Sequence, residues 1–131
     1  MKNIFSLIVL AAMIVSCTPS KKEAEEKPLM DQVMEVHDAV MPKMGSLMKV
    51  KKQLMAKADT ADSVASEELK TLAQEIDLAN EAMMDWMRNF DPNFEGTEDE
   101  VKEYLMKKKK GIEKVAEAMN SSLEKGENAL K

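Results

Sequence analysis

From Leu29 onward the apolar side chains recur at steps of three and four, in three separate runs. The first is Met30, Val33, His37, Met41, Met44, Met48 and Met55, with Lys51 in phase. The second is Leu69, Leu72, Ile76, Ala79, Met83, Trp86 with Met87, and Phe90. The third is Val101, Leu105, Ile112, Val115, Met119 and Leu123, with Lys108 in phase. This spacing gathers side chains on one face of an α-helix, whereas a half-buried strand needs alternation. No Asn-Gly or Gly-Asn hairpin signal competes with it.

The breaks between runs carry helix punctuation. Asp59-Thr60-Ala61-Asp62-Ser63 is rich in residues that cap helix N-termini. Asp91-Pro92-Asn93-Phe94-Glu95-Gly96 separates the second and third runs. Thr97-Glu98-Asp99-Glu100 follows with threonine and glutamate three apart, the pattern of a capping box. Gly126 stands where a C-terminal cap is expected. Pro42 falls inside the first run. It cannot donate to the carbonyl of Asp38 and its ring clashes there, so the helix is expected to kink beside His37.

Three helices of about 25–30 residues with short connections pack as antiparallel neighbours. The expected fold is all-α, an up-down-up three-helix bundle over residues 29–131, about 40 Å long at 1.5 Å per residue. The start of the first helix, the end of the second and the start of the third then share one end. Turn positions put His37 level with Ala82 and Met83, Met34 with Asp85, and Met83 with Tyr104. The aromatic residues beyond the N-terminal segment, Trp86, Phe90, Phe94 and Tyr104, all fall at that end.

The N-terminus reads differently. Met1-Lys2-Asn3 is followed by an apolar stretch, Ile4 to Val15, broken only by Ser6. Twelve residues are too few for a permanent span of a hydrocarbon core about 30 Å thick. The pattern is that of a signal peptide over residues 1–16. Its end, Ile14-Val15-Ser16-Cys17, resembles the lipobox of bacterial lipoprotein precursors, and Cys17 is the only cysteine. The resemblance implies cleavage before Cys17, a diacylglycerol on its thiol and an acyl chain on its new amino group. Several chains together make a lasting anchor where one is marginal. With that thiol occupied, no disulfide is available. Thr18 to Pro28, TPSKKEAEEKP, has no apolar residue larger than alanine and completes a flexible tether over residues 17–28. Eleven residues reach at most about 35–40 Å. By resemblance to lipoprotein sorting signals, Thr18 in place of an aspartate favours the outer membrane. The face of that membrane stays open.

Composition excludes several function classes. Nineteen basic against 24 acidic side chains give a net charge of −5, a poor match to nucleic acid. One histidine excludes a ferritin-like di-iron centre, which needs two Glu-x-x-His pairs. There is no phosphate-binding glycine loop in a chain with four glycines. Enzymatic activity is not expected. Lys107 to Lys110 reads as a solvated helix face, with Glu103–Lys107 and Lys109–Glu113 spaced for ion pairs.

Methionine is the compositional oddity, with 13 in the whole chain. As a soft, adaptable hydrophobe it can replace leucine in a core, with His37 a hydrogen-bonded passenger. The sharper alternative is Cu(I), which thioethers and imidazole suit. Its donor set would be His37, Met34, Met41, Met44, Met83 and Met87. In residue types this cluster is loosely similar to periplasmic copper chaperones that combine histidine, methionine and tryptophan. Lys108 argues against it, as a cation near the site. The helical part also loosely resembles small helical lipoproteins of Bacteroidetes-type bacteria, through His37-Asp38-x-x-Met41-Pro42-x-Met44 and Met83-Met84-x-Trp86-Met87. That resemblance implies no particular activity. Two expectations follow. One is a non-catalytic, lipid-anchored envelope lipoprotein that holds a protein partner or a second copy through Trp86, Phe90, Phe94 and Tyr104. The other is a lipoprotein for copper handling.

Overall fold

A computed structural model of the chain describes residues 27–131. The expectations for residues 1–16, for Cys17 and for most of the tether lie outside the described residues. The described part is all-helical, with four segments: α1 (Leu29–Val40), α2 (Lys43–Ala58), α3 (Ser63–Arg88) and α4 (Glu98–Ala129). They form a helical bundle of three legs, because α1 and α2 divide one leg at Met41-Pro42. None of these helices is long and apolar enough to cross a membrane.

The division has the expected cause. The Met41 N–H still donates to the His37 carbonyl at 2.8 Å. Pro42 has no N–H to offer the next carbonyl, so the ladder stops and restarts at Lys43. At the next junction Asp62 caps α3, its carboxylate accepting from Val64 N–H and Ala65 N–H at 3.0 Å each. The capping box of α4 is formed as the sequence suggests. Thr97 Oγ1 accepts from the Glu100 N–H at 3.4 Å, and the Thr97 N–H donates to Glu100 Oε2 at 2.8 Å.

The core runs along all three legs. Its fully buried large side chains are Val33, Leu47, Leu54, Ile76, Met83, Ile112 and Met119. On α3 and α4 these match the expected stripes. On α2 they do not: Leu47, Val50, Leu54 and Ala58 are buried, while Met48 and Met55 are exposed. The Pro42 break resets the helical phase, so a stripe extrapolated from α1 through Met44 runs one position off the buried face. Lys51, in phase with that stripe, ion-pairs with Asp77 at 2.7 Å.

The levels also differ from expectation. Asn80 Nδ2 meets Met48 Sδ at 3.2 Å. Trp86 Nε1 donates to the Lys108 carbonyl at 3.1 Å, and Lys125 Nζ meets Glu75 Oε2 at 2.9 Å. Tyr104 is therefore level with the end of α3, about two turns from the expected Met83. The connection from Asn89 to Thr97 is the cause, because it folds back on the first turns of α4 instead of turning tightly.

Gly126 is not a cap. It lies inside α4 and is buried. A Cβ there would sit 2.6 Å from Val50 Cγ1 and 3.3 Å from Ile76 Cδ1. The absent side chain is what lets α4 approach α2 and α3. Gly45, exposed on α2, has nothing within 4 Å of the same position.

Two substitutions separate these roles. Gly126→Ala gains about 1 kcal/mol of helix propensity but overpacks against a stiff β-branched neighbour, costing about 1–3 kcal/mol. The net expectation is a lower urea midpoint. Gly45→Ala, with no clash to offset, should raise it by about 0.5–1 kcal/mol. Equal shifts of one sign in both would refute the close approach.

A third prediction concerns pH. The Thr97 backbone N–H, then its hydroxyl, hold the Glu100 carboxyl below the usual carboxylate range. A lowered folded value means the contribution is present above the unfolded value and is lost as pH falls through the folded one. The Thr97 amide shift in NMR should follow that acid titration, and Glu100→Gln should abolish it.

Candidate functional site

The end of the bundle where α3 finishes is built from five stacked rings. His37 stacks on Trp86 with centroids 5.7 Å apart, and Trp86 on Phe90 at 4.7 Å. Phe90 faces Tyr104 at 6.4 Å, and Tyr104 faces Phe94 at 4.2 Å. The stack runs from α1, through the last turns of α3, to the first turns of α4 and the connecting loop. Phe90 follows the C-cap Asn89, and its N–H donates to the Met87 carbonyl at 3.3 Å, a tight last turn that leaves its ring over Trp86. Gly111 admits the indole: a Cβ there would lie 3.2 Å from Trp86 Cδ1. The Tyr104 hydroxyl accepts from the Asp91 N–H at 2.6 Å and so fastens the loop.

The four partner-contact candidates are thus in one cluster with different exposures. Trp86 is 8% exposed and its N–H is already bonded, whereas Phe94 is 38% exposed. Phe90 and Tyr104 are half-buried. What this end offers a partner is chiefly Phe94, held flat on Tyr104.

The candidate metal donors divide. The His37 Nδ1 is 2.8 Å from Asp38 Oδ1. Met34, Met41, Met44 and Met87 are half-buried, and Met41, Met44 and Met87 pack against the core. Met83 is fully buried within the core itself. Among the described residues no group of three or more histidine, cysteine or carboxylate side chains could hold a metal. Any site here would depend on thioether sulfur.

Lys108, which sequence reasoning places awkwardly in a core stripe, has a defined partner. Its Nζ donates to the carbonyl of Asn89, the C-cap of α3, and lies 5.2 Å from the Tyr104 ring centre. A cation at a helix C-terminus meets the negative end of the dipole, and its stem lies along the aromatic stack. The other lysines of the run part ways around the helix. Lys109 Nζ donates to Gln32 Oε1 at 2.8 Å and lies 3.8 Å from Glu113. The Glu103–Lys107 pair that spacing allows is not formed; the i,i+4 distance permits it, but both side chains are exposed and little is gained there.

Sequence reasoning missed a groove of about 820 Å³ between the start of α1 and the first half of α4. It is lined by Lys27, Leu29, Gln32, Lys102, Met106, Lys109, Lys110 and Glu113. The lysine run was visible, but the contribution of Lys27 and Gln32 from the other leg was not.

The stack makes a graded prediction. Trp86→Ala should destabilise by about 3–5 kcal/mol, as for a buried aromatic. Phe94→Ala should cost about 0.5–1.5 kcal/mol, the scale of one stacked aromatic pair. Urea unfolding followed by circular dichroism checks both, and a larger loss for Phe94→Ala would refute this ordering.

No family model, curated protein or solved structure matches the chain.

Proposed function

We propose that the chain is a non-catalytic, lipid-anchored lipoprotein of the cell envelope, held through Cys17, whose helical domain contacts a protein partner or a second copy. The single observation that carries the anchor is Ile14-Val15-Ser16-Cys17 closing an apolar segment of signal-peptide length. The outer membrane is the proposed location, from Thr18 after the cysteine. The described legs are proposed to run up, down and up. The Met48–Asn80 and Lys51–Asp77 contacts of α2 with α3, and the Trp86–Lys108 and Glu75–Lys125 contacts of α3 with α4, support that order. In this arrangement the tether joins the bundle near its aromatic end. Phe94, exposed on Tyr104, is the residue proposed to meet a partner.

Mass spectrometry of the protein from its native envelope tests the anchor. The expected mature N-terminus is Cys17 carrying acyl mass, and Cys17→Ser should leave an uncleaved or unacylated form. A mature N-terminus elsewhere without acyl mass would refute it.

A second reading, Cu(I) handling, draws on one feature of the geometry. A carboxylate on His37 Nδ1 fixes the ring as outer-sphere partners fix metal-ligating histidines, leaving Nε2 as the imidazole donor. Met34, Met41, Met44 and Met87 are half-buried sulfur donors of suitable softness, whereas Met83 would have to leave the core. Under this reading His37→Ala and Met41→Leu weaken Cu(I) binding in competition with a chromophoric chelator, while Met119→Leu does not. Trp86 emission falls on Cu(I) addition because its ring stacks on His37. No transfer of Cu(I) from the chelator would remove this reading and leave the first untouched.

A further inference from the structure

We propose that the lysine-lined groove between α1 and α4 is a docking site for the acidic stretch of this chain's own tether, Glu23 to Glu26. The groove lies where the tether joins the domain. Lys27, the first described residue, lines it. Its carbonyl is held by Gln32 Nε2 at 2.6 Å, and Gln32 Oε1 is held in turn by Lys109 Nζ at 2.8 Å. Both legs therefore clamp the point at which the chain enters α1. The residue before Lys27 in the chain is Glu26.

Charge decides between occupants. Four lysines and one glutamate line the groove of a chain whose net charge is −5. Lys27 is engaged by Glu35 at 2.9 Å, and Lys109 by Gln32 and Glu113. Among the described residues Lys102 and Lys110 have no hydrogen-bond or ion-pair partner. The four residues before Lys27 are Glu-Ala-Glu-Glu, so three carboxylates directly precede in sequence the lysine that lines the groove. Leu29 and Met106, the latter 56% exposed, give the groove an apolar floor suited to Ala24 and the glutamate stems. An anionic membrane is the weaker occupant, because the adjoining end of the bundle carries Asp91, Glu95, Glu98, Asp99 and Glu100. A segment covalently attached at the rim also has a high effective concentration that a free partner lacks.

Docking would take Glu23 to Glu26 out of the tether and shorten its reach. That consequence for distance from a membrane rests on the lipoprotein reading; the docking itself does not.

The test uses the chain from residue 17 onward with Cys17→Ser, which keeps every described residue. Backbone order parameters of residues 23–26 should approach about 0.8 at low salt and fall below about 0.6 in 1 M NaCl, which screens exposed charges within a few ångströms. Lys102→Glu with Lys110→Glu should give the same loss at low salt without changing the circular dichroism. Adding Glu25→Lys and Glu26→Lys to that variant should restore the order. Residues 23–26 equally mobile in all three proteins would overturn the proposal. So would order that survives the lysine reversal, or order that depends on protein concentration, which would make a second copy the occupant. Absence of acyl mass on Cys17 would remove the lipoprotein reading without affecting any of these outcomes.

Discussion

The indole of Trp86 is the interaction on which the bundle's aromatic end depends. It touches His37 of α1 through its face, Phe90 just beyond the end of α3, and α4 through its N–H and Gly111. A buried indole N–H needs an acceptor, and the absence of a Cβ at Gly111 lets the indole approach the Lys108 carbonyl without crowding. Near the C-terminus of α4 the same device recurs with aliphatic partners, where Gly126 admits Val50 and Ile76. Two glycines that weaken α4 as an isolated helix thus set how closely it packs. The longest helix, 32 residues, is aligned near its middle and near its C-terminus by side chains it lacks.

The helical periodicity of α3 and α4 was legible because those legs are unbroken and their stripes are built from Leu, Ile, Val and Met at regular steps. The capping box, and a cap somewhere in Asp59–Ser63 that proves to be Asp62, were legible because capping is local chemistry between residues two or three apart. What escaped the sequence was phase and level. Pro42 separates two helices whose faces need not continue one another, so the methionine stripe from Met41 to Met55 suggested a core that Leu47, Val50 and Leu54 in fact supply. The loop from Asn89 to Thr97 was counted as a simple turn, yet Phe94 and Tyr104 fold it back over α4. Both errors come from treating a connection as neutral, when its side chains decide how the next helix sits.

Lys108 illustrates the same point in electrostatic terms. By periodicity it was an anomaly, a charge in a core stripe and an argument against a metal site nearby. In three dimensions its ammonium closes the exposed carbonyl end of α3 at Asn89, while its stem lies beside Tyr104. The position is apolar for most of the side chain and polar at its tip, which suits a long amphipathic residue better than leucine. A stripe written only as apolar or polar cannot distinguish that case from an error. Its ammonium is directed at the Asn89 carbonyl rather than lying bare in a core stripe, as its sequence position implied.

The methionines make the least expected pattern. If they were merely substitutes for leucine, they would lie in the core. Among the described residues only Met83 and Met119 are fully buried, while Met48, Met55, Met84 and Met106 are exposed. The remaining methionines of the described chain lie half-buried along its flanks. Flank positions ask for a side chain that covers apolar surface in several conformations without a strict shape, and unbranched thioethers do this well. Such a flank costs little specificity in folding, because Leu47, Leu54, Ile76 and Ile112 already define the interior. It also leaves polarisable sulfur at the surface of an otherwise acidic helical domain. A leucine flank would cover the core equally well but would offer neither adaptable contact nor a soft donor. The composition is therefore better explained by what the flank covers than by what the core needs, and the Cu(I) reading draws on that surface.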